Sequence, residues 1–114
     1  MDSDLYRRGI LLFNDGDFFA AHEVLEDAWR EAPEPERKFL QGLIQTAVAF
    51  HHYSRQNQVG ARSLLKRALE NLEKYPDDFG GLKLQPLRLS IADWLEALDK
   101  EATVPPLPKI TSCD

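Results

Sequence analysis

The positions of the seven prolines constrain the fold of this 114-residue chain more than any other feature of the sequence. Residues 1–32 and 36–75 contain no proline, whereas residues 76–114 contain five. Proline costs roughly 3 kcal/mol in the interior of a helix, so the two proline-free stretches are where long helices can form. Leu and Ala together number 28, while the β-branched residues Val, Ile and Thr number 11. Because β-branched residues favour strands, the sequence predicts an all-α fold.

Apolar periodicity and capping residues divide the chain into five predicted helices. Ser3 and Asp17 are suited to cap the first two helices, because their side-chain oxygens can accept hydrogen bonds from free backbone N–H groups. Gly16 ends the first helix, and Pro33 and Pro35 separate the second from the third. The third helix is apolar nearly all round and is expected to be the most buried. The predicted helices span residues 4–14, 18–32, 36–56, 59–74 and 87–100.

This order of helices predicts a bundle of two antiparallel helical hairpins, with the fifth helix closing one end. The segments that begin at Gly16 and Gly60 each follow a helix, form a second helix, and end at a proline. The pattern resembles the helical hairpin of tetratricopeptide repeats. Ala21 and Ala61 are 40 residues apart, however, where such repeats have a period of about 34. The resemblance is therefore to the hairpin and not to a long peptide-binding groove.

The length allows one domain, because a chain of this size buries roughly two-thirds of its unfolded surface. We predict a single helical domain over residues 1–101 and an extended, proline-rich tail over residues 102–114. The proline-rich run VPPLP, residues 104–108, must be extended. The tail either packs across the bundle or hangs free.

The composition excludes several classes of protein. With 43% hydrophobic and 29% charged residues, the chain is not mainly disordered. A single cysteine, Cys113, permits neither an internal disulfide nor a multi-cysteine zinc site. The longest uncharged run, residues 39–54, is 16 residues long and includes two histidines, so it is too short and polar to span a bilayer. No signal-peptide pattern is present, and we expect a cytoplasmic protein that does not bind membranes.

Charge is unevenly distributed, although the net charge is only −5. Residues 1–35 carry nine acidic and three basic residues, whereas residues 36–75 carry three acidic and seven basic ones. This difference predicts that acidic and basic helices lie side by side. A second interpretation is a basic patch that meets an acidic partner, formed by Arg55, Arg62, Lys66 and Arg67. No aromatic ladder accompanies these residues, and we do not expect nucleic-acid binding.

The most informative stretch lies in the second predicted helix and reads HEVLEDAW over residues 22–29. At about 100° per residue, His22 and Glu26 lie at the border of the apolar stripe that includes Phe18 and Trp29, with Phe19 beside them. A carboxylate at that border should be partly buried, which costs several kcal/mol unless it is hydrogen-bonded or paired. Glu26 is therefore expected to have a polar partner.

The third helix carries matching polar groups in an apolar setting. Gln41, Gln45 and His52 lie within about 40° of one another on the helical wheel, whereas His51 faces the apolar side. We predict that His22 and Glu26 of the second helix meet Gln41 and Gln45.

Three interpretations of this polar cluster remain open. In the first, it is a buried network that fixes how the hairpins dock. In the second, His22 and Glu26 bind a metal at positions i and i+4, together with His51 or His52. In the third, His22 and Glu26 form an acid–base pair, although no nucleophile and no Gly-rich phosphate loop accompany them. The first interpretation is the leading one, so we predict no metal site and no cofactor.

The segment FNDGDFFAAHEVLEDAWR, residues 13–30, resembles the leading motif of domain-of-unknown-function family 309, DUF309. That motif reads F-N-x-G-x-aromatic-x-x-A-H-E-x-L-E-x-x-W. A second block also fits, with LQGLIQTAVA at residues 40–49 followed by His51, His52, Asn57, Gly60 and Ala61. The resemblance covers residues 5–72 and implies a small, all-helical protein without an established activity. The residues at its motif positions are His22, Glu23, Glu26, Trp29, Gln41, Gly42 and Gln45.

The leading functional hypothesis is a non-enzymatic adaptor or scaffold that binds another protein or itself. In this hypothesis, the His, Glu and Gln side chains are structural. The alternative is a metal-binding or hydrolytic protein that uses His22 and Glu26 with a histidine of the third helix.

Overall fold

The computed structural model describes residues 3–113, and within them the chain forms five α-helices and no β-sheet. Met1 and Asp2, at the start of the predicted domain, and Asp114, at the end of the predicted tail, lie outside the described residues. The prediction of an all-α, five-helix fold is confirmed. The helices are α1 (Asp4–Asn14), α2 (Phe18–Glu31), α3 (Glu34–Ser54), α4 (Gln58–Leu72) and α5 (Leu84–Asp99), with a 3₁₀ turn at Phe79–Gly81.

The predicted caps are present, and the helix boundaries shift by a few residues. Ser3 accepts a hydrogen bond from the Tyr6 N–H, and Asp17 accepts one from the Ala20 N–H. The helices α3 and α5 begin two and three residues earlier than predicted, so each contains a proline in its first turn. Proline is tolerated there because the first N–H groups of a helix have no acceptor within the helix.

Each helix packs against the next one along the chain, and α3 lies at the centre of the bundle between α2 and α4. As predicted, α3 has the largest set of buried residues among the described helices. Its Phe50 ring packs edge-on against Trp94 of α5, with the centroids 5.0 Å apart, and its Phe39 is fully buried. The tetratricopeptide-like geometry of the hairpins stays a prediction.

A close approach between α3 and α4 depends on Gly42. A Cβ atom built at this position would lie 2.9 Å from Cγ of Leu72 and 3.4 Å from the carbonyl oxygen of Ala68. The first distance is shorter than van der Waals contact, so any residue other than glycine would require the Leu72 side chain to move. Gly42 therefore lets α3 and α4 pack closely against each other.

The tail packs across the bundle. The side chain of Asn14, the last residue of α1, accepts a hydrogen bond from the Ile110 N–H at 2.7 Å and donates one to the Ile110 carbonyl at 2.9 Å. The indole N–H of Trp94 in α5 donates to the Pro106 carbonyl at 3.1 Å. Near its end, the tail makes an isolated antiparallel bridge between Leu82 and Ser112. The tail thereby connects the first helix to the last.

None of the described helices combines the length and the apolar character that crossing a bilayer demands.

Candidate functional site

A continuous strip of half-exposed residues lies between α2 and α3, and we call it the α2–α3 seam. The ring of Phe19 lies 5.2 Å from the ring of His51 at one end. At the other end, the guanidinium carbon of Arg37 lies 4.2 Å from the centre of the Trp29 ring. Residues three or four positions apart lie on the same face of a helix. This spacing identifies which residues of α2 and α3 lie along the strip between these two contacts. The seam consists of Phe19, His22, Glu26 and Trp29 from α2 and Arg37, Gln41, Ile44, Val48 and His51 from α3.

His22 is held in place by its own helix. Its Nδ1 lies 2.6 Å from the carbonyl oxygen of Phe19. Because a carbonyl oxygen only accepts, Nδ1 carries the hydrogen. The other ring nitrogen, Nε2, lies 3.7 Å from Oε1 of Glu26. The two side chains are 19% and 43% exposed, so this pair lies at the surface and reaches solvent.

Phe19 is the most exposed residue of the seam. Half of its surface is open to solvent, yet its ring contacts two imidazoles, His22 at 4.9 Å and His51 at 5.2 Å between ring centroids. These contacts come from two different helices. The orientation of the exposed phenyl ring is therefore set by the packing of α2 against α3.

The structure gives Gln45 a different partner from the predicted one. Its side-chain oxygen accepts a hydrogen bond from the side-chain amide of Asn71 on α4 at 2.9 Å, and Asn71 is buried. Gln45 lies three residues after Gly42, which packs against α4, so both residues face α4 rather than α2. Within residues 3–113, no hydrogen bond joins His22 or Glu26 to Gln41 or Gln45.

The other predicted site residues lie in different parts of the structure. Glu23 is exposed on the outer side of α2, and Gln41 is half-buried on the seam. His52 instead lies at the junction of α3 and α4, where its Nδ1 is 3.4 Å from the side-chain amide of Asn57. Asn57 caps α4 through its side-chain oxygen. The sequence thus predicted one cluster where the structure has two, one on the seam and one between α3 and α4.

The metal alternative needs a third ligand beside His22 and Glu26. In the described part of the chain, no group of three or more His, Cys, Asp or Glu side chains is arranged to hold a metal ion. A histidine of α3 therefore does not complete such a group there.

Three structurally important polar residues were missed by the sequence analysis. Asn71 lies on the apolar stripe of α4, and an amide among leucines was a signal that could have identified it. Asn14 belongs to the F-N-x-G motif, but the motif does not indicate the tail as its partner. Arg37 stacks on Trp29, and its buried Nε has no hydrogen-bond partner among the described residues. Nothing in the sequence distinguished Arg37 from other surface arginines.

The bundle and the seam define a class of all-α protein in which a His-Glu motif borders the contact between the second and third helices. Residues 6–64 match the family described as "Domain of unknown function (DUF309)". The chain belongs to this family, as the resemblance of its motifs predicted.

Two relatives extend this comparison. An "Uncharacterized protein" of Aquifex aeolicus (strain VF5) is 32% identical over 106 residues, which is 92% of this chain and 31% of the relative. The "Uncharacterized protein YpuF" of Bacillus subtilis (strain 168) is 43% identical over 58 residues, which is 50% of this chain and 33% of the relative. The chain thus spans about one third of the length of these curated relatives.

Proposed function

We propose that this protein is a protein-binding module and that the α2–α3 seam holds the partner. The observation that carries this proposal is the ring of Phe19, which is half exposed and yet contacts imidazoles from two helices. Aromatic residues are enriched at protein interfaces. A ring that is already ordered before binding loses little conformational entropy when a partner covers it.

The charge beside Phe19 indicates the chemistry of the partner. The helix α2 carries four acidic residues and one basic residue. Asp27 is paired with Arg30, whereas Glu23 makes no ion pair within residues 3–113, and Glu26 has only His22 at 3.7 Å. The partner segment in this proposal presents an apolar side chain to Phe19 and basic side chains to Glu23 and Glu26.

In this proposal the protein acts as a cytoplasmic adaptor or scaffold and performs no reaction itself. His22 contributes by packing against the ring of Phe19, at 4.9 Å between ring centroids, on the surface that also carries Glu26. Its Nδ1–H is used by the Phe19 carbonyl, which fixes the imidazole against the backbone of α2.

Site-specific photocrosslinking in cells tests the proposal. A photoreactive phenylalanine analogue replaces Phe19 in one variant and Leu89 in the control, since Leu89 is 56% exposed but lies on α5, away from the seam. We expect one discrete crosslinked protein, identified by mass spectrometry, from position 19 and not from position 89. The same products at both positions, or none at position 19, would contradict the proposal.

Charge reversal then tests the chemistry of the partner. Glu23→Lys combined with Glu26→Lys should lower the crosslinking yield at position 19 by about tenfold or more, because like charges at an interface are strongly unfavourable. Asp93→Lys, at an exposed position of α5, is the matched control and should leave the yield unchanged. Circular dichroism checks that all variants keep the helical fold.

A further inference from the structure

The groove that holds the tail recognises an extended backbone. Asn14 both accepts from and donates to the peptide groups of Ile110, and the Trp94 indole donates to the Pro106 carbonyl. Aromatic-lined grooves also hold proline-rich segments of other chains. Two backbone hydrogen bonds near the end of the tail add to these contacts, from the Lys83 N–H to the Thr111 carbonyl and from the Cys113 N–H to the Gly81 carbonyl.

These contacts do not depend on which chain supplies the tail. None of them uses the connection between α5 and the tail, residues 100–103, which is exposed to solvent. The same hydrogen bonds and the same burial of Ile110, which is 4% exposed, are available to the tail of a second copy. Exchange of an identical element between protomers is a low-cost route to a dimer.

The connection itself is strained in the monomer. The Ala102 N–H donates to the Ala97 carbonyl, and the chain reverses at Glu101, whose φ is +52°. Left-handed backbone is unfavourable for any residue other than glycine. If the tail leaves its own groove, residues 100–103 can continue α5 as a helix that ends before Pro105, which removes this strain.

The prolines lower the cost of exchange. Pro105, Pro106 and Pro108 keep a released tail extended, because the pyrrolidine ring fixes φ near the value of the extended polyproline conformation. A preorganised segment loses less conformational entropy when it binds again. We propose that this protein forms a tail-exchanged dimer, in which Asn14 and Trp94 of each copy hold residues 104–113 of the other. This inference does not depend on the proposed function of the seam.

Isotope-filtered NMR on the full chain tests the exchange. Labelled and unlabelled protein are mixed in denaturant, refolded at the highest soluble concentration, and separated by size-exclusion chromatography. We expect a dimer fraction with nuclear Overhauser effects between the Asn14 side-chain amide of one copy and Ile110 of the other. A chain that stays monomeric, or a dimer without these intermolecular effects, would overturn the proposal.

Two variants of the connection, residues 100–103, are tested by the same measurement. Glu101→Gly relieves the strain in the monomer, so exchange no longer gains by removing it. It should lower the dimer association constant on the order of 30-fold, because each of the two monomers that form the dimer carries one unfavourable left-handed residue. Deletion of residues 101–102 shortens the connection and should raise the dimer fraction at equal concentration. A dimer that responds to neither change is held by another surface, which contradicts tail exchange.

Discussion

The helix α3 packs against α4 on one side and against α2 on the other, and the polar side chains at these two contacts are paired differently. Toward α4, the amide of Gln45 is paired across the helices with Asn71, which is buried, and Gly42 lets the backbones approach. Toward α2, His22 binds the Phe19 carbonyl of its own helix and Glu26 pairs only with His22 among the described residues, and both side chains remain accessible to solvent.

The difference separates residues that hold the fold together from residues that are free to bind. A buried amide without its partner costs about 1–3 kcal/mol, so the pair between α3 and α4 must be complete in the folded protein. A half-exposed carboxylate is solvated by water and needs no such partner. The α3–α4 contact is therefore expected to control stability, whereas the seam is expected to control binding.

Gly42→Val should disrupt the packing of α3 against α4 and have the largest effect on the free energy of unfolding. Its side chain would collide with Leu72, and overpacking of a well-packed core costs about 1–3 kcal/mol. We expect a loss near the upper end of this range, measured as a lower midpoint of urea unfolding.

The matched control is Lys38→Val, four residues earlier on the same helix at an exposed position. It introduces the same side chain without a collision, and its cost should stay near the difference in helix propensity, about 0.5 kcal/mol. Equal losses for both variants would show that Gly42 is not needed for the approach of α4.

Asn71→Ala should lower the free energy of unfolding by about 1–3 kcal/mol, because it leaves the half-buried Gln45 amide without a partner. The double variant Gln45→Leu with Asn71→Leu removes both polar groups and should be more stable than either single leucine variant. A double-mutant cycle from thermal unfolding measures the coupling. Strictly additive losses would mean that the two amides do not interact.

Local signals predicted the helices and their caps correctly. Ser3 and Asp17 cap as expected, because capping depends on residues within one turn. The central position of α3 also followed from its own sequence, since a helix that is apolar nearly all round must be covered on most sides. The domain boundary at residue 101 stays a prediction.

The pairing of the polar residues could not be predicted in the same way. Successive residues on a helix point about 100° apart, so a small difference in how α3 is rotated decides whether Gln45 meets α2 or α4. That rotation is set by Gly42 and Leu72, which are 30 residues apart. The position of the tail likewise depends on Asn14 and Ile110, separated by 96 residues, and no local pattern connects them.

Glu26→Ala should have the smallest effect on stability. It therefore tests whether the α2–α3 seam differs from the α3–α4 contact. The carboxylate is 43% exposed, and its only ion-pair partner in the described residues is His22 at 3.7 Å. An exposed pair of this kind contributes about 0–1 kcal/mol, and alanine is the better helix former by several tenths of a kcal/mol. We expect a net change within about 0.5 kcal/mol, measured by thermal unfolding beside Gln45→Ala.

The same Glu26→Ala variant should reduce crosslinking from position 19, because it removes a carboxylate next to the exposed ring. A stability loss as large as that of Gln45→Ala would instead show that Glu26 belongs to a buried polar network, as the sequence predicted. If Glu26 belongs to a binding surface, the variant should keep its stability and lose crosslinking. A residue that serves only the fold would instead lower the free energy of unfolding when its interaction is removed.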